Sequence, residues 1–178
     1  MNILSIETSC DETAVSLIKV EGQFPEATYE ILGDAIHSQI DLHAQYGGVF
    51  PMMAKREHVK KILPMMEIAL TDAEILTKST EEIPREIQEK LHEILFREEG
   101  LADELIAFAE KHERPEIDLI TVTSGPGLEP ALWVGVNFAK AVSYLMNIPV
   151  VPVTHMEGHI LASIFDVEED DKIAQLSF

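Results

Sequence analysis

The stretch of the chain whose residues could most clearly support chemistry is HMEGH, which places His155 and His159 four residues apart. On a helix, side chains at this spacing share a face with Cβ atoms about 5–6 Å apart, so two imidazoles can bind one metal ion. Thr154 and Glu157 have the spacing of a capping box, which predicts that a helix begins here. The helix N-terminus disfavours imidazolium, which keeps both rings neutral and available to a metal. Spacing alone favours a metal site and a pair of core histidines equally.

The same motif limits the chemistry that it can support. A metallopeptidase of the HExxH type needs a glutamate directly after the first histidine, and Met156 occupies that position. Two histidines are too few ligands for a tight metal site. A third ligand must come from elsewhere, and a carboxylate would be the natural choice.

A second polar group, TSCDET, occupies residues 8–13 between two predicted strands. The carboxylates of Asp11 and Glu12 cannot bind a phosphate directly, but they can hold a cation or a water molecule that does. Many turns with this composition only reverse the chain. A functional turn and a purely structural turn therefore both remain open.

A third group, SGPG at residues 124–127, lies between a predicted buried strand and a predicted helix. Ligands of α/β proteins bind at the carboxyl ends of strands, where helix N-terminal amides can accept an anion. The segment lacks the lysine of a Walker loop and the third glycine of a dinucleotide fingerprint. A tight turn that needs glycine explains it equally well.

The composition narrows the class of protein. The chain has 178 residues, a formal net charge of −19 and a single cysteine. One domain without an internal disulfide is expected. The N-terminus has no signal-peptide pattern and no apolar run reaches about 18 residues, so we expect a cytoplasmic protein without a membrane segment. The acidity opposes direct binding of nucleic acid unless another domain or partner supplies positive charge, or it serves solubility alone.

Periodicity predicts the elements that position the three groups. NILSIE, TAVSLIKV and residues 29–37 are typical of strands, the first two joined by SCDE and the last two by the hairpin loop EGQFPEA. HSQIDLHAQYGGVFP is expected to form a polar loop. Residues 51–70 and 130–146 favour helices, while IDLITVT and VVPVT favour buried strands. The inner face of the first helix is predicted to carry Ala54, His58, Ile62 and Met65.

The segment from about 71 to 116 is acidic, and it is interpreted as a helical insertion. Two apolar stripes predict two amphipathic helices that break near Gly100. The stripes are Ile83, Ile87, Leu91, Ile94 and Leu95, then Leu101, Leu105 and Phe108. The outer face could dock a partner, or the insertion could be purely structural. The tail FDVEEDDKIAQLSF is expected to cross an acidic loop and end on an apolar rise.

This element order predicts an α/β fold of the ribonuclease H-like kind. Three antiparallel strands would be extended by two parallel ones, giving a mixed five-stranded sheet with flanking helices and the helical insertion.

Four stretches taken in order resemble the TsaD family, once described as O-sialoglycoprotein endopeptidases: IETSCDETAVSL, HSQIDLHAQYGGVFP followed by KREHV, TSGPGLEPALWVG, and VPVTHMEGH. The resemblance covers residues 1–70 and 117–165, and HMEGH is closer to the bacterial and mitochondrial branch. It implies one half of an actin-like ATPase fold built from two ribonuclease H-like halves. It also implies the family's activity, transfer of a threonylcarbamoyl group from its adenylate, threonylcarbamoyl-AMP, to N6 of the adenosine beside the anticodon of tRNA.

The resemblance implies roles for individual residues. His155 and His159 would ligate one divalent metal ion, iron or zinc, with an aspartate of the family's second half as third ligand. Asp11 and Glu12 would act in catalysis. The substrate-binding residues would be Ser9, Ser124, Gly125 and Gly127.

Two departures from the family pattern shape the expectation. The family's second half is absent, so residues 1–178 are expected to be a single N-terminal domain that is inactive by itself. The long insertion could change contacts with a TsaB-like paralogue or a TsaE-like ATPase, and tRNA would be held through the complex. Two alternatives are a noncatalytic TsaB-like dimerisation scaffold, which HMEGH and SCDET argue against, and a metallopeptidase, which the missing HExxH order argues against.

Overall fold

A mixed sheet with two long helices on one face organises the computed structural model, which describes residues 1–23, 26–163, 165–167 and 173–176. The strands in these ranges are β1 (Asn2–Glu7), β2 (Glu12–Glu21), β3 (Thr28–Ser38), β4 (Leu119–Gly125), β5 (Val150–Thr154), β6 (Phe165–Val167) and β7 (Ile173–Leu176). The helices are α1 (Ile40–Ala44), α2 (Pro51–Asp72), α3 (Arg85–Ile94), α4 (Leu101–Lys111), α5 (Glu129–Met146) and α6 (His155–Ala162).

The strand pairing confirms the predicted ribonuclease H-like arrangement. β1 pairs antiparallel with β2 and β2 with β3, while β4 pairs parallel with β1 and β5 parallel with β4. The sheet has two more strands than predicted, because β7 pairs antiparallel with the free edge of β3 and β6 pairs with β7. Its order in the described residues is β5-β4-β1-β2-β3-β7-β6.

The core lies between the sheet and helices α2 and α5. Alternate strand residues such as Leu4, Ile6 and Leu17 are buried against these helices, because successive side chains of a strand point to opposite faces. α2 approaches β3 so closely that a Cβ atom at Gly33 would collide with the carbonyl oxygen of Ala69. Glycine at this position therefore allows the helix to pack directly on the strand backbone.

Three local predictions need correction. VVPVT forms β5, but this strand is an edge with exposed or half-exposed residues, because no further strand pairs beyond it in the described residues. In β4, Ile120, Val122 and Thr123 are buried, but Leu119 and Thr121 are half-buried, so the strand is not equally covered on both faces. The stretch expected to be a polar loop contains the short helix α1.

The insertion forms two helices, as predicted. α4 begins after Gly100, whose φ of 83° places it in the left-handed region that glycine adopts readily. Leu91 and Leu105 are fully buried on the inner faces of α3 and α4, which contact α5 and α2 respectively. The two apolar stripes therefore belong to the core of this chain, while the acidic faces remain outside.

The predicted loops EGQFPEA and the acidic part of the tail include residues 24–25 and 168–172, which lie outside the described residues. Among the helices of the described part, none is both long and apolar enough to cross a membrane.

Candidate metal and substrate site

The carboxyl ends of β1, β4 and β5 lie side by side, and the candidate residues gather there. Leu4 and Ile6 point from β1 toward α2 and α5, so Ser5 and Glu7 point to the opposite, more open face. On that face a cavity of about 510 Å³ is lined by Ser5, Glu7, Ile18, Thr123, His155 and His159, among others. Strand ends of this kind are the usual ligand sites of α/β sheets.

The histidine pair lies at the start of α6, directly after β5. Thr154 Oγ1 accepts a hydrogen bond from the Glu157 backbone N–H at 3.1 Å, which confirms Thr154 as the N-cap. The Nε2 atoms of His155 and His159 lie 2.9 Å apart, and the rings meet edge to face. Two imidazole nitrogens in this position can both reach one ion, whose bonds to nitrogen are about 2.0–2.1 Å long.

The pair provides two ligands rather than a complete site. The described residues contain no group of three or more histidine, cysteine, aspartate or glutamate side chains that could hold a metal ion. The Glu7 carboxylate lies on the Nδ1 side of the His155 ring, with Oε1 at 3.8 Å from Nδ1. The residues present therefore fit two positions of a metal's coordination shell.

Ser9 connects the hairpin turn between β1 and β2, residues 8–11, to His155. Its backbone N–H donates to Glu7 Oε1 at 2.6 Å, and its Oγ lies 3.3 Å from His155 Nδ1. Ser9 is only 3% exposed, so this hydroxyl is held in a fixed place. Sequence reasoning named Ser9 as a substrate contact and missed Glu7, whose only signal was a polar residue at the end of an apolar strand.

The SGPG loop is fastened to the same turn. Leu128 N–H donates to the Ser9 carbonyl at 2.7 Å, and Ser124 Oγ donates to the Val153 carbonyl of β5 at 3.2 Å. A Cβ atom at Gly127 would lie 2.5 Å from the Ser9 carbonyl oxygen. Gly125 has a φ of 151°, which favours glycine. Ser9 and the SGPG loop thus form one contiguous surface beside the histidine pair.

Asp11 and Glu12 occupy the other end of the turn. The Asp11 carbonyl accepts from the Gln39 backbone N–H at 2.8 Å, and Glu12 begins β2 opposite Ser38 of β3. In the described part of the chain, no hydrogen bond or ion pair links either carboxylate to the histidine pair. Partial burial, together with the adjacent Asp11 carboxyl, raises the pKa of the Cys10 thiol, which disfavours a nucleophilic thiolate in this turn.

A buried polar network supports the turn from the side of α2. His58 is completely buried; its Nε2–H donates to the Cys10 carbonyl at 3.1 Å, and its Nδ1 accepts from Thr13 Oγ1 at 2.7 Å. The Gln39 side-chain oxygen accepts from His43 Nε2 at 3.0 Å. Burial lowers the pKa of the His58 imidazole, so its neutral form is the stable one. Helical periodicity placed His58 on the inner face of α2 but gave no sign of these partners.

A mixed α/β sheet that carries a glycine-rich strand-to-helix loop beside two facing imidazoles defines an α/β protein with a candidate metal-dependent site. The chain belongs to the TsaD family: the family model described as "TsaD: tRNA N6-adenosine threonylcarbamoyltransferase" matches residues 30–85 and 83–174.

Relatives that carry this description cover most or all of the chain. The protein named tRNA N6-adenosine threonylcarbamoyltransferase from Thermomicrobium roseum is 35% identical over 178 residues, which are 100% of this chain and 37% of the relative. The one from Fusobacterium nucleatum is 36% identical over 166 residues, which are 93% of this chain and 36% of the relative. The chain therefore spans little more than a third of the length of these curated relatives.

Two solved structures also align with the chain. YeaZ from Pseudomonas aeruginosa has a TM-score of 0.46 at 14% identity, covering 100% of this chain and 66% of that one. Thermus thermophilus RuvC has a TM-score of 0.40 at 13% identity, covering 92% of this chain and 68% of that one.

Proposed function

We propose that residues 1–178 form the N-terminal, metal-ligating half of a tRNA N6-adenosine threonylcarbamoyltransferase of actin-like fold. The observation that carries the proposal is the pair of facing Nε2 atoms of His155 and His159, in an open cavity where three strands end. Family membership supplies the reaction class, and the cavity supplies a place for it. The third metal ligand and the opposite wall of the site would come from outside these residues.

In this proposal the substrate is threonylcarbamoyl-AMP. A bound iron or zinc ion supplies Lewis-acid polarisation of a carbonyl oxygen. The amine N6 of the tRNA adenosine would attack the carbonyl carbon of the threonylcarbamoyl group, AMP would leave with the electrons of the mixed-anhydride bond, and one N6 proton would pass to water.

The residues of this chain have three tasks in that reaction. His155 and His159 hold the ion through Nε2. Ser9 and the loop of Ser124, Gly125 and Gly127 do not line the cavity itself, and they would contact the part of the substrate that extends beyond it, next to His155. Asp11 and Glu12 act from the end of the turn through water or a cation, since their carboxylates do not contact the histidine pair.

The charge of the chain bears on its partners. At a net charge of −19, this half is poorly suited to attract an RNA backbone. tRNA would be bound through the remainder of the protein and through a complex with a TsaB-like paralogue and a TsaE-like ATPase, in the cytoplasm. The acidic outer faces of α3 and α4 are free to modify those contacts, because only their inner faces are used in the core.

The test is a titration of zinc into this chain and into the variant His155→Ala/His159→Ala, with binding measured by isothermal titration calorimetry. We expect one weak site in the wild type and none in the double variant. The matched control His37→Ala/His92→Ala removes two other imidazoles and should bind like the wild type. Equal binding by the double variant would contradict the metal assignment.

A longer polypeptide that includes the remaining two thirds of the relatives' length should bind zinc far more tightly and transfer threonylcarbamoyl to tRNA. The 178-residue chain alone should show no turnover. Turnover by this chain alone would show that the second half is dispensable and would refute the division of the site.

A further inference from the structure

Two oxygen atoms face the Nδ1 atom of His155, on the side of the ring opposite to the proposed metal. Ser9 Oγ lies at 3.3 Å and Glu7 Oε1 at 3.8 Å. Both groups are anchored independently of the histidine. Glu7 Oε1 accepts the Ser9 backbone N–H at 2.6 Å, and the Ser9 carbonyl accepts from Leu128 at 2.7 Å.

The chemistry of these two groups selects one tautomer of the ring. An ionised carboxylate can only accept hydrogen bonds, whereas a serine hydroxyl can donate or accept. A lone pair on Nδ1 would face the Glu7 carboxylate with no proton between them. A proton on Nδ1 can be shared with the serine hydroxyl and attracted by the carboxylate. The protonated Nδ1 leaves the lone pair on Nε2, which is the atom that faces His159.

We infer that Glu7 and Ser9 are positioning residues that fix His155 in the Nδ1–H tautomer and orient its Nε2 lone pair toward the metal position. The metal part of this inference rests on the proposed function; the tautomer part does not. Carboxylates and hydroxyls behind a metal-binding histidine commonly fix its ring in this way and increase its basicity. His159 has no such partner in the described residues, so the two histidines are unequal ligands.

The same contacts explain why the turn and the SGPG loop must stay together. Gly127 leaves room for Ser9, since a side chain there would collide with the Ser9 backbone. If Ser9 moved away, its hydroxyl would lose Nδ1. The loop therefore contributes to the orientation of His155 without touching it.

The experiment is long-range ¹H–¹⁵N NMR of the histidine rings in the 178-residue chain, at about pH 8, where ordinary histidines are neutral. In the wild type we expect His155 to carry its proton on Nδ1. The isosteric variant Glu7→Gln should shift His155 toward the Nε2–H form and weaken zinc binding about tenfold. Adding Ser9→Ala should extend the loss toward about a hundredfold, the upper end for such supporting contacts. The matched control Glu116→Gln changes an exposed carboxylate outside this cavity and should leave both readouts unchanged.

Two results would overturn the inference: a wild-type His155 protonated on Nε2, or a tautomer that is the same in the wild type and in the double variant Glu7→Gln/Ser9→Ala. The outcome for the proposed function is separate. A wild type with the expected tautomer that binds no zinc, alone or in the longer polypeptide, would refute the metal site and leave the role of Glu7 and Ser9 in orienting the ring intact.

Discussion

Two groups of histidines lie on opposite sides of the hairpin turn between β1 and β2, and one member of each group, His58 or His155, contacts that turn. His58 and His43 lie on the inner side, where both nitrogens of each ring meet protein partners and the rings are buried. His155 and His159 lie on the open side, where each Nε2 has, among the described residues, only the other ring as hydrogen-bond partner. The difference shows what separates a structural histidine from a candidate ligand: the number of nitrogen lone pairs that the fold leaves unused.

The largest loss of stability should come from replacing the buried His58. His58→Ala would leave a cavity and would deprive the Thr13 hydroxyl and the Cys10 carbonyl of their partner. We expect a loss of about 2–4 kcal/mol in the free energy of unfolding, measured by urea denaturation. His92→Ala, at a half-exposed position on α3, is the control and should cost about 0.5 kcal/mol or less. If both variants lose the same small amount, the buried network does not hold the turn.

A smaller loss in the free energy of unfolding should follow when the pH is lowered. Burial gives His58 a lower pKa in the folded chain than its ordinary value of 6.5. Between the two pKa values the unfolded chain binds more protons, so stability increases with pH there and is constant above the unfolded value. The contribution of His58 should therefore be complete above about pH 6.5 and should fall below it, by at most about 1.4 kcal/mol per pH unit. Urea unfolding of the wild type at several pH values, compared with His58→Gln, measures it; an identical slope in both proteins would contradict the assignment.

Much of the fold could be predicted because its signals are local. The six residues of NILSIE alternate between the core and the open face, and Gly100 and Thr154 mark the starts of their helices through their own backbone or side chain. The strands β6 and β7 could not be predicted, since they are short: β7 forms by pairing with β3, far away in the chain, and β6 forms by pairing with β7. The exposure of β5 was missed for a related reason: an apolar run does not tell whether another element covers it.

The candidate site could likewise be predicted only where its signals are local. The spacing of HMEGH was enough to place two imidazoles on one helix face, as found. The contact of Ser9 with His155 joins residues 146 positions apart, and it depends on β1 and β5 flanking β4 in the sheet. Glu7 becomes relevant only through that contact. The network around His58 was hidden because helical periodicity treats a buried histidine like any apolar residue.

The smallest change in stability should come from replacing His159 on the open side. This variant is the most direct check of the difference between the buried and the open histidines. α6 has no buried residue, and in the described part of the chain the His155 ring is the only hydrogen-bond or ring partner of the His159 imidazole. His159→Ala should therefore change the free energy of unfolding by no more than about 0.5 kcal/mol, since it removes only an exposed ring contact and replaces the histidine with a better helix former. Urea denaturation without metal gives this value, and it should be several times smaller than that of His58→Ala. A loss as large as that of His58→Ala would mean that the fold itself uses the facing imidazoles, and their exposed Nε2 atoms would no longer identify them as ligands.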